Sequence, residues 1–248
     1  IFYIRASSFC NKDILGPKFF KTQLDTLDID EFLTAICAIR HKEVTNKFFI
    51  NYDHVRHQFK DSYKYESILR LSLKDRFILS AEYLLHYDPQ EPLYMGYDPG
   101  NFQSLIVAQK KDYGRRLDII KEFFAFLPKD YNDLVAEVHQ FFGSAAVNKT
   151  IYLYPDRAGN KRKEEREQIT TDSLNLKAAL ESYGFMVVLY NEDAPTIYHW
   201  QQFKLCQMLF GERSPLLPIV RIDENECKNL CSAIMISPLK KTEGKIEL

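Results

Sequence analysis

Three short apolar runs, separated by tight turns, stand out near the middle of the chain. The runs are Leu93–Asp98, Ser104–Gln109 and Leu117–Phe124. The turns between them, Pro99–Asn101 and Asp112–Gly114, consist of residues that favour chain reversals. Apolar strands joined by such short turns predict an antiparallel meander of three strands.

After the meander, helical and strand patterns alternate along the chain. Apolar residues spaced three and four apart indicate helices, and compact apolar runs indicate buried strands. The predicted elements are helix 128–143, strand 150–154, helix 172–183, strand 185–190, helix 196–210 and strand 217–222. A meander followed by this alternation predicts an α/β domain, in which a mixed sheet carries helices on its faces.

The part of the chain before the meander is mostly helical in pattern. Two prolines within Asp88–Pro92 exclude a helix there and mark a boundary. We predict three parts: a small mostly helical segment over 1–50, a helical linker over 51–89 and the α/β domain over 90–248. Because the chain begins at Ile1 instead of methionine, we expect it to be a piece of a longer protein.

Composition narrows the class of protein. With 46% hydrophobic and 27% charged residues, the 248 residues describe an ordinary globular protein. The formal net charge of −1 gives no overall attraction to nucleic acid, so a DNA partner would need a local basic patch. The sequence has no signal peptide and no apolar run long enough to cross a membrane. Five cysteines without a CxxC pair predict reduced thiols in a cytosolic protein.

Two aspartates at strand ends are the candidate chemistry. Asp98 ends the first strand of the meander, and Asp156 follows strand 150–154. If they lie side by side, their carboxylates form a pocket of hard oxygen ligands suited to Mg²⁺ or Mn²⁺. The alternatives are structural: Asp98 caps the reversal that follows it, and Asp156 caps a helix or pairs with Arg157.

The densest basic run of the chain follows the second aspartate directly. It consists of Arg157, Lys161, Arg162, Lys163 and Arg166. Beside a metal site, these side chains would hold a phosphate backbone and position a duplex without reading its sequence. The alternative is a solvated loop, because three glutamates are interleaved with the basic residues.

With both aspartates placed on strands, the chain resembles the nuclease domain of the large subunit of tailed-phage terminases, which has an RNase H-like fold. The resemblance is carried by Met95–Asn101 (MGYDPGN) and Tyr152–Asn160 (YLYPDRAGN). Cys227–Leu230 resembles a short helix late in that domain. Residues 1–49 resemble the end of the ATPase domain that precedes it.

The resemblance implies an endonuclease that cuts concatemeric double-stranded DNA during viral packaging. It implies hydrolysis with two Mg²⁺ or Mn²⁺ ions about 4 Å apart, with Asp98 and Asp156 as ligands. The implied partners are double-stranded DNA, the portal and the small terminase subunit, in the host cytoplasm, for a phage or prophage protein. Because these residues contain no GxxxxGK[ST] motif, we expect the chain to cut DNA without hydrolysing ATP.

The resemblance also implies a third carboxylate near the end of the domain. Asp223, Glu224 and Glu226 follow strand 217–222, and Asp223 is the candidate among them. The alternative is that this acidic cluster caps the helix after it. We expect the third ligand to lie in residues outside this chain.

Three other functions compete with the nuclease. In an actin-like ATPase, Asp98–Gly100 would belong to a phosphate-binding hairpin. That fold also needs a second phosphate-binding hairpin and a Gly-rich adenosine site, and the nine glycines of this chain are scattered. A transposase or integrase would share the metal site and also join strands. A non-catalytic RNase H-like module would serve as a docking surface of the packaging motor, and it is favoured if the two aspartates are far apart or if no third ligand exists.

Overall fold

A computed structural model describes residues 8–26, 36, 47–71, 79–99, 102–126, 128–160, 163–165, 168–190, 197–242 and 245–247. The chain divides into two compact units, Ile1–Lys47 and Phe48–Leu248. The smaller unit contains helix α1 (Lys12–Thr26), which kinks at Gly16, where φ is +70°. The candidate site residues belong to the larger unit.

The larger unit contains both strands and helices. Its helices are α2 (His54–His57), α3 (Tyr65–Leu71), α4 (Tyr131–Phe142), α5 (Asp172–Ser182), α6 (His199–Gly211) and α7 (Lys228–Ile236). Its strands are β1 (Gln58–Phe59), β2 (Leu93–Pro99), β3 (Phe102–Lys111), β4 (Arg116–Phe126), β5 (Thr150–Pro155), β6 (Lys163–Glu165), β7 (Gln168–Thr170), β8 (Met186–Leu189), β9 (Ile219–Asp223), β10 (Lys240–Thr242) and β11 (Lys245–Glu247). The strands predicted above are present, with ends within about two residues of those expected.

Seven of the strands form one mixed sheet in the order β1-β9-β4-β3-β2-β5-β8. The meander β2-β3-β4 is antiparallel, whereas β5 runs parallel to β2, and β8 runs parallel to β5. On the other side, β9 runs parallel to β4, and β1 runs parallel to β9. The sheet and its helices confirm the predicted α/β, RNase H-like class. Strand β1 lies within the segment predicted as a linker and is part of the sheet.

Two hydrophobic cores cover opposite faces of the sheet. Helices α4 and α5 bury Leu134 and Leu176 against Leu153 and its neighbours on one face. On the opposite face, α6 and α7 pack against Val220 and Ile222 of β9. Consecutive residues Ile119 and Ile120 of β4 belong to different cores, as expected for strand residues that point alternately to the two faces.

A buried carboxylate fixes helix α7 to the sheet. Glu122 of β4 is only 8% exposed and accepts hydrogen bonds from the backbone N–H groups of Asn229 and Leu230, each at 2.8 Å. The side-chain amide of Asn229 donates a third bond at 3.0 Å. These donors belong to the first turn of the helix, where N–H groups have no partner inside the helix and a negative charge is favourable. The charge and the unpaired donors therefore stabilise each other.

Within the ranges described above, no helix is both long and apolar enough to cross a lipid bilayer. Cys227 and Cys231 are free thiols buried in the core between α6, α7 and β9. Burial raises the pKa of both thiols, so they remain protonated near neutral pH.

A buried histidine, His57, packs beside α6 in the larger unit. The His57 ring lies 5.6 Å from the Tyr52 ring and 5.2 Å from the Phe210 ring, between ring centroids. Its Nε2 lies 3.5 Å from Oε1 of Glu212, a carboxylate that also binds Arg221 at 2.6 Å. Burial lowers the pKa of His57 despite this carboxylate. The folded state therefore resists protonation of the ring.

We expect the free energy of unfolding to fall as the pH decreases below about 6.5, the ordinary pKa of histidine. In that range His57 binds a proton more readily in the unfolded chain than in the folded chain, so acid favours unfolding. Urea midpoints measured at about pH 8 and about pH 5.5 check this. His57→Phe should reduce the difference between the two midpoints. An unchanged difference would show that other groups cause it.

Candidate metal-binding site at two strand ends

Asp98 and Asp156 lie side by side at one edge of the sheet. The parallel pairing of β2 with β5 ends at Tyr97 opposite Pro155, and the backbone N–H of Asp156 donates to the carbonyl oxygen of Tyr97 at 2.7 Å. The residues that follow this last pair are the two aspartates. Since neighbouring strands are about 4.8 Å apart, the backbones of the two aspartates lie next to each other. Both aspartates are exposed.

A tight turn closes over the strand ends behind the carboxylates. Arg157–Asn160 forms a short 3-10 turn, in which the N–H of Gly159 donates to the carbonyl oxygen of Asp156 at 2.9 Å. A Cβ on Gly159 would lie 2.9 Å from Oγ of Ser173 and 3.2 Å from Cγ of Pro99. The turn therefore contacts both the end of β2 and the start of α5, and a side chain in place of Gly159 would displace these neighbours.

A third carboxylate, which the sequence analysis missed, lies at the same edge. Asp172 is the first residue of α5, and Thr171 caps that helix by accepting the N–H of Leu174 at 3.1 Å. Burial raises the pKa of Tyr97, and the Asp172 and Asp98 carboxylates raise it further. The next residue, Ser173, lies against Gly159 in the turn at the strand ends, which places the start of α5 at this edge. A helix that connects two parallel strands starts where the first strand ends, and this rule could have predicted Asp172 here.

Asp223, the predicted third ligand, lies elsewhere. Strand β9 is three strands from β2 in the sheet, which is about 14 Å at about 4.8 Å per strand. Asp223 is 1% exposed, and its Oδ1 accepts bonds from Ser62 Oγ at 2.6 Å and from the N–H groups of Asn225 and Glu226. Asp223 is the last residue of β9, and its carboxylate is bonded within the turn before α7 without capping that helix, whose N-cap is Cys227. It does not bring Asp223 to the Asp98–Asp156 pair.

Comparison with known proteins finds similarity in structure alone. No family model matches the chain, and no curated protein matches it. The large terminase of a thermophilic bacteriophage matches with 10% identity and a TM-score of 0.49, over 94% of this chain and 48% of that one. The chain spans about half the length of that thermophilic phage protein.

Two structures of terminase nuclease domains are also similar to this chain. The P22 large terminase nuclease domain has 10% identity and a TM-score of 0.49, over 82% of this chain and 84% of that one. The nuclease domain of the large terminase of bacteriophage SPP1, solved with bound Mn, has 11% identity and a TM-score of 0.41, over 70% and 82%. At these identities the similarity concerns the fold, and no residue's role is carried over from it.

The structure describes only some residues of the predicted basic run. Arg157 is exposed and follows Asp156 in the turn at the strand ends. Lys163 is the first residue of strand β6. Lys161, Arg162 and Arg166 lie outside the described residues. A phosphate contact by these residues stays a prediction.

The donor set at the strand ends fits a hard divalent cation. Mg²⁺ is usually held by one or two carboxylates together with water and substrate phosphates, without a complete cage of protein ligands. Asp98 and Asp156 supply two such carboxylates in an exposed position. Among the residues that the structure describes, no three His, Cys, Asp or Glu side chains converge to hold a metal ion.

Proposed function

We propose that this chain is a divalent-metal-dependent DNA endonuclease, the nuclease part of a phage terminase large subunit. One observation carries the proposal: Asp98 and Asp156 follow the last pair of two adjacent parallel strands, on the same edge of the sheet. Two carboxylates held this way by a rigid sheet support metal-assisted cleavage of a phosphodiester. The terminase-like motifs around both aspartates in the sequence support the same class.

In this proposal the chain's residues hold and orient the reacting groups. Asp98, fixed by β2 and its two neighbours, would hold the ions together with Asp156. When bound, two Mg²⁺ or Mn²⁺ ions activate a water molecule and stabilise the leaving oxygen. The turn closed by Gly159 keeps the second aspartate in place. Asp172 adds negative charge that favours cations at this edge.

Double-stranded DNA is the proposed substrate, with concatemeric viral DNA as its natural form. Arg157 and the basic residues after it would contact phosphates beside the carboxylates. The portal and the small terminase subunit are the proposed partners, in the cytoplasm of the host. Since the net charge is −1, these local contacts must supply the affinity.

Cleavage of supercoiled plasmid tests the proposal directly. We expect the purified chain to nick and linearise plasmid with Mn²⁺ or Mg²⁺, with little sequence preference and without ATP. EDTA should stop the reaction, and added Mn²⁺ should restore it. A folded chain that leaves plasmid intact with both metals would contradict nuclease activity.

A second function is favoured by one observation, the absence of a third converging ligand among the described residues. This second function is that of an RNase H-like docking module of the packaging motor. It would then bind DNA or motor proteins without cutting. The plasmid assay separates the two functions.

Arg157→Ala should weaken DNA binding evenly across sequences and reduce the slope of log affinity against log salt by about 1. The reason is that one fewer phosphate is neutralised and one fewer counterion released. Fluorescence anisotropy with a labelled duplex, at several salt concentrations and in EDTA, measures this. Arg213→Ala, which changes an exposed arginine after α6, is the control. Equal slopes for both variants would remove Arg157 from the DNA contact.

A further inference from the structure

Strand β8 is the last strand at one end of the seven-stranded sheet, so its outer side has no neighbouring strand among the described residues. The backbone N–H groups of Met186 and Tyr190 donate to carbonyl oxygens on the β5 side, at 2.9 and 2.8 Å. Because the backbone groups of a strand alternate in direction, Val187 and Leu189 direct their N–H and C=O groups to the outer side. This outer side of β8 therefore presents two donors and two acceptors to another strand.

The side chains of β8 do not protect this edge from pairing. The strand has the sequence MVVL, with neither a charge nor a proline. Its exposed side chains are apolar, since Met186 is 61% and Val188 37% exposed, and the Tyr190 side chain that follows is 41% exposed. Natural edge strands are commonly kept apart by a charged side chain, a proline or a bulge. Without them, β8 is suited to pairing with another strand.

The outer side of β8 is complementary to itself. In an antiparallel pair of two β8 strands centred on Val188, Val187 of each copy faces Leu189 of the other, and each such pair exchanges two hydrogen bonds. Met186 then faces Tyr190, which brings a sulfur atom to an aromatic ring, a favourable contact. The two Val188 side chains meet at the two-fold axis, and no like charges face each other. A second copy of the chain therefore satisfies the outward backbone groups of β8.

Helix α5 packs on β8 and carries both signs of charge on its outer flank. Ala179 packs against the core, and the ring of Tyr183, just after the helix, lies 4.6 Å from that of His139 on α4, so this flank of α5 faces α4. Lys177 and Glu181 are each two positions from Ala179, about 200° round the helix, and lie on the opposite flank. Their charged atoms are 3.9 Å apart. A two-fold rotation reverses their order, so Lys177 of one copy can meet Glu181 of the other.

We propose that β8 is a dimerisation edge, at which two copies of the chain pair antiparallel about a two-fold axis at Val188. The sheet of one copy then continues into the sheet of the other. A second copy is the partner because the apolar pairs of β8 and the charges of α5 both match under the same rotation. The paired strand is short, and small interfaces are typical of transient complexes, so the dimer forms and dissociates with concentration. This inference does not depend on the proposed nuclease function.

Sedimentation velocity of the full chain over a range of concentrations tests this. We expect a monomer–dimer equilibrium for the parent, and Val188→Lys should raise its dissociation constant about tenfold or more, because two like charges would meet at the axis. Ile219→Lys is the matched control, since Ile219 is a β-branched strand residue, 39% exposed, on β9 near the other end of the sheet. A parent that stays monomeric, or a Val188→Lys chain that dimerises like the parent, would overturn the proposal.

A charge-swapped partner separates loss of pairing from loss of folding. Val188→Glu alone should dimerise as weakly as Val188→Lys, for the same reason. An equimolar mixture of the two variants should associate again as a heterodimer, because opposite charges then meet at the axis. Misfolded variants would not be rescued by mixing. A mixture that stays as monomeric as each variant alone would overturn the proposal.

Val188→Cys tests the register of the two strands. Facing residues of a non-hydrogen-bonded antiparallel pair have Cα atoms about 4.5 Å apart, within the range that a disulfide spans. We expect mild oxidation to give a covalent dimer that a reducing agent separates. The parent, with its five cysteines, and Ile219→Cys are the controls. Crosslinking of Val188→Cys no greater than in these controls would overturn the two-fold pairing at Val188.

Discussion

Asp98→Asn should reduce metal-dependent plasmid cleavage about 100-fold or more, because even groups that only support a metal ligand cost 10–100-fold when changed. The substitution keeps the shape of the side chain and removes the charge that binds the cation. Asp98 is exposed at the end of β2, so the free energy of unfolding should change by less than about 0.5 kcal/mol.

Two further variants make the Asp98 result specific. Asp61→Asn changes an exposed carboxylate in the loop after β1 and should cut like the parent. The double variant Asp98→Asn/Asp156→Asn should be no less active than the single one, since residues that act as a unit are not additive. An Asp98→Asn chain that cuts as fast as the parent would show that the assigned site is wrong.

Glu122→Ala should lower the free energy of unfolding by about 2–4 kcal/mol, the scale expected when a buried charge with several hydrogen bonds is removed. The change removes the carboxylate that accepts three hydrogen bonds, so two backbone N–H groups at the start of α7 lose their acceptor. These bonds are partly buried between α7 and the sheet, so water replaces the carboxylate poorly. Urea unfolding of the full chain measures the loss.

Glu137→Ala is the control for this effect. Glu137 lies on α4 and pairs with Lys129 at 2.8 Å, and its side chain is 40% exposed. Exposed ion pairs contribute at most about 1 kcal/mol, so this variant should unfold nearly like the parent. Equal losses in the two variants would show that Glu122 does not hold α7 to the sheet.

The strands and the carboxylate pair were predictable because both depend on local pattern and short connections. Compact apolar runs indicate the strands, and Asp98 and Asp156 each lie where a strand ends. Two parallel strands have their carboxyl ends at one edge, so side-by-side placement needed only that β5 join β2.

The position of Asp223 was not predictable from the same reasoning. It also lies at a strand end, but β9 joins the sheet beyond β4, on the far side of the meander. Strand order depends on which faces α6 and α7 bury, and periodicity carries no information on that. Asp172 was missed because it lies at the start of a helix and not at the end of a strand. The connection between β5 and β8 brings that helix to the site.

The bond between Glu122 and α7 joins residues more than a hundred positions apart. A glutamate in a strand pattern indicates a solvent-facing position, and here the helix that covers it comes from near the end of the chain. Contacts of this kind can be identified only when the order of the strands in the sheet is known.

Anomalous diffraction from crystals soaked in Mn²⁺ tests the central claim most directly. We predict density for Mn²⁺ between the carboxylates of Asp98 and Asp156, lost in crystals of Asp98→Asn. Saturating Mn²⁺ without density at this edge of the sheet, or the two side chains turned to opposite faces, would contradict it.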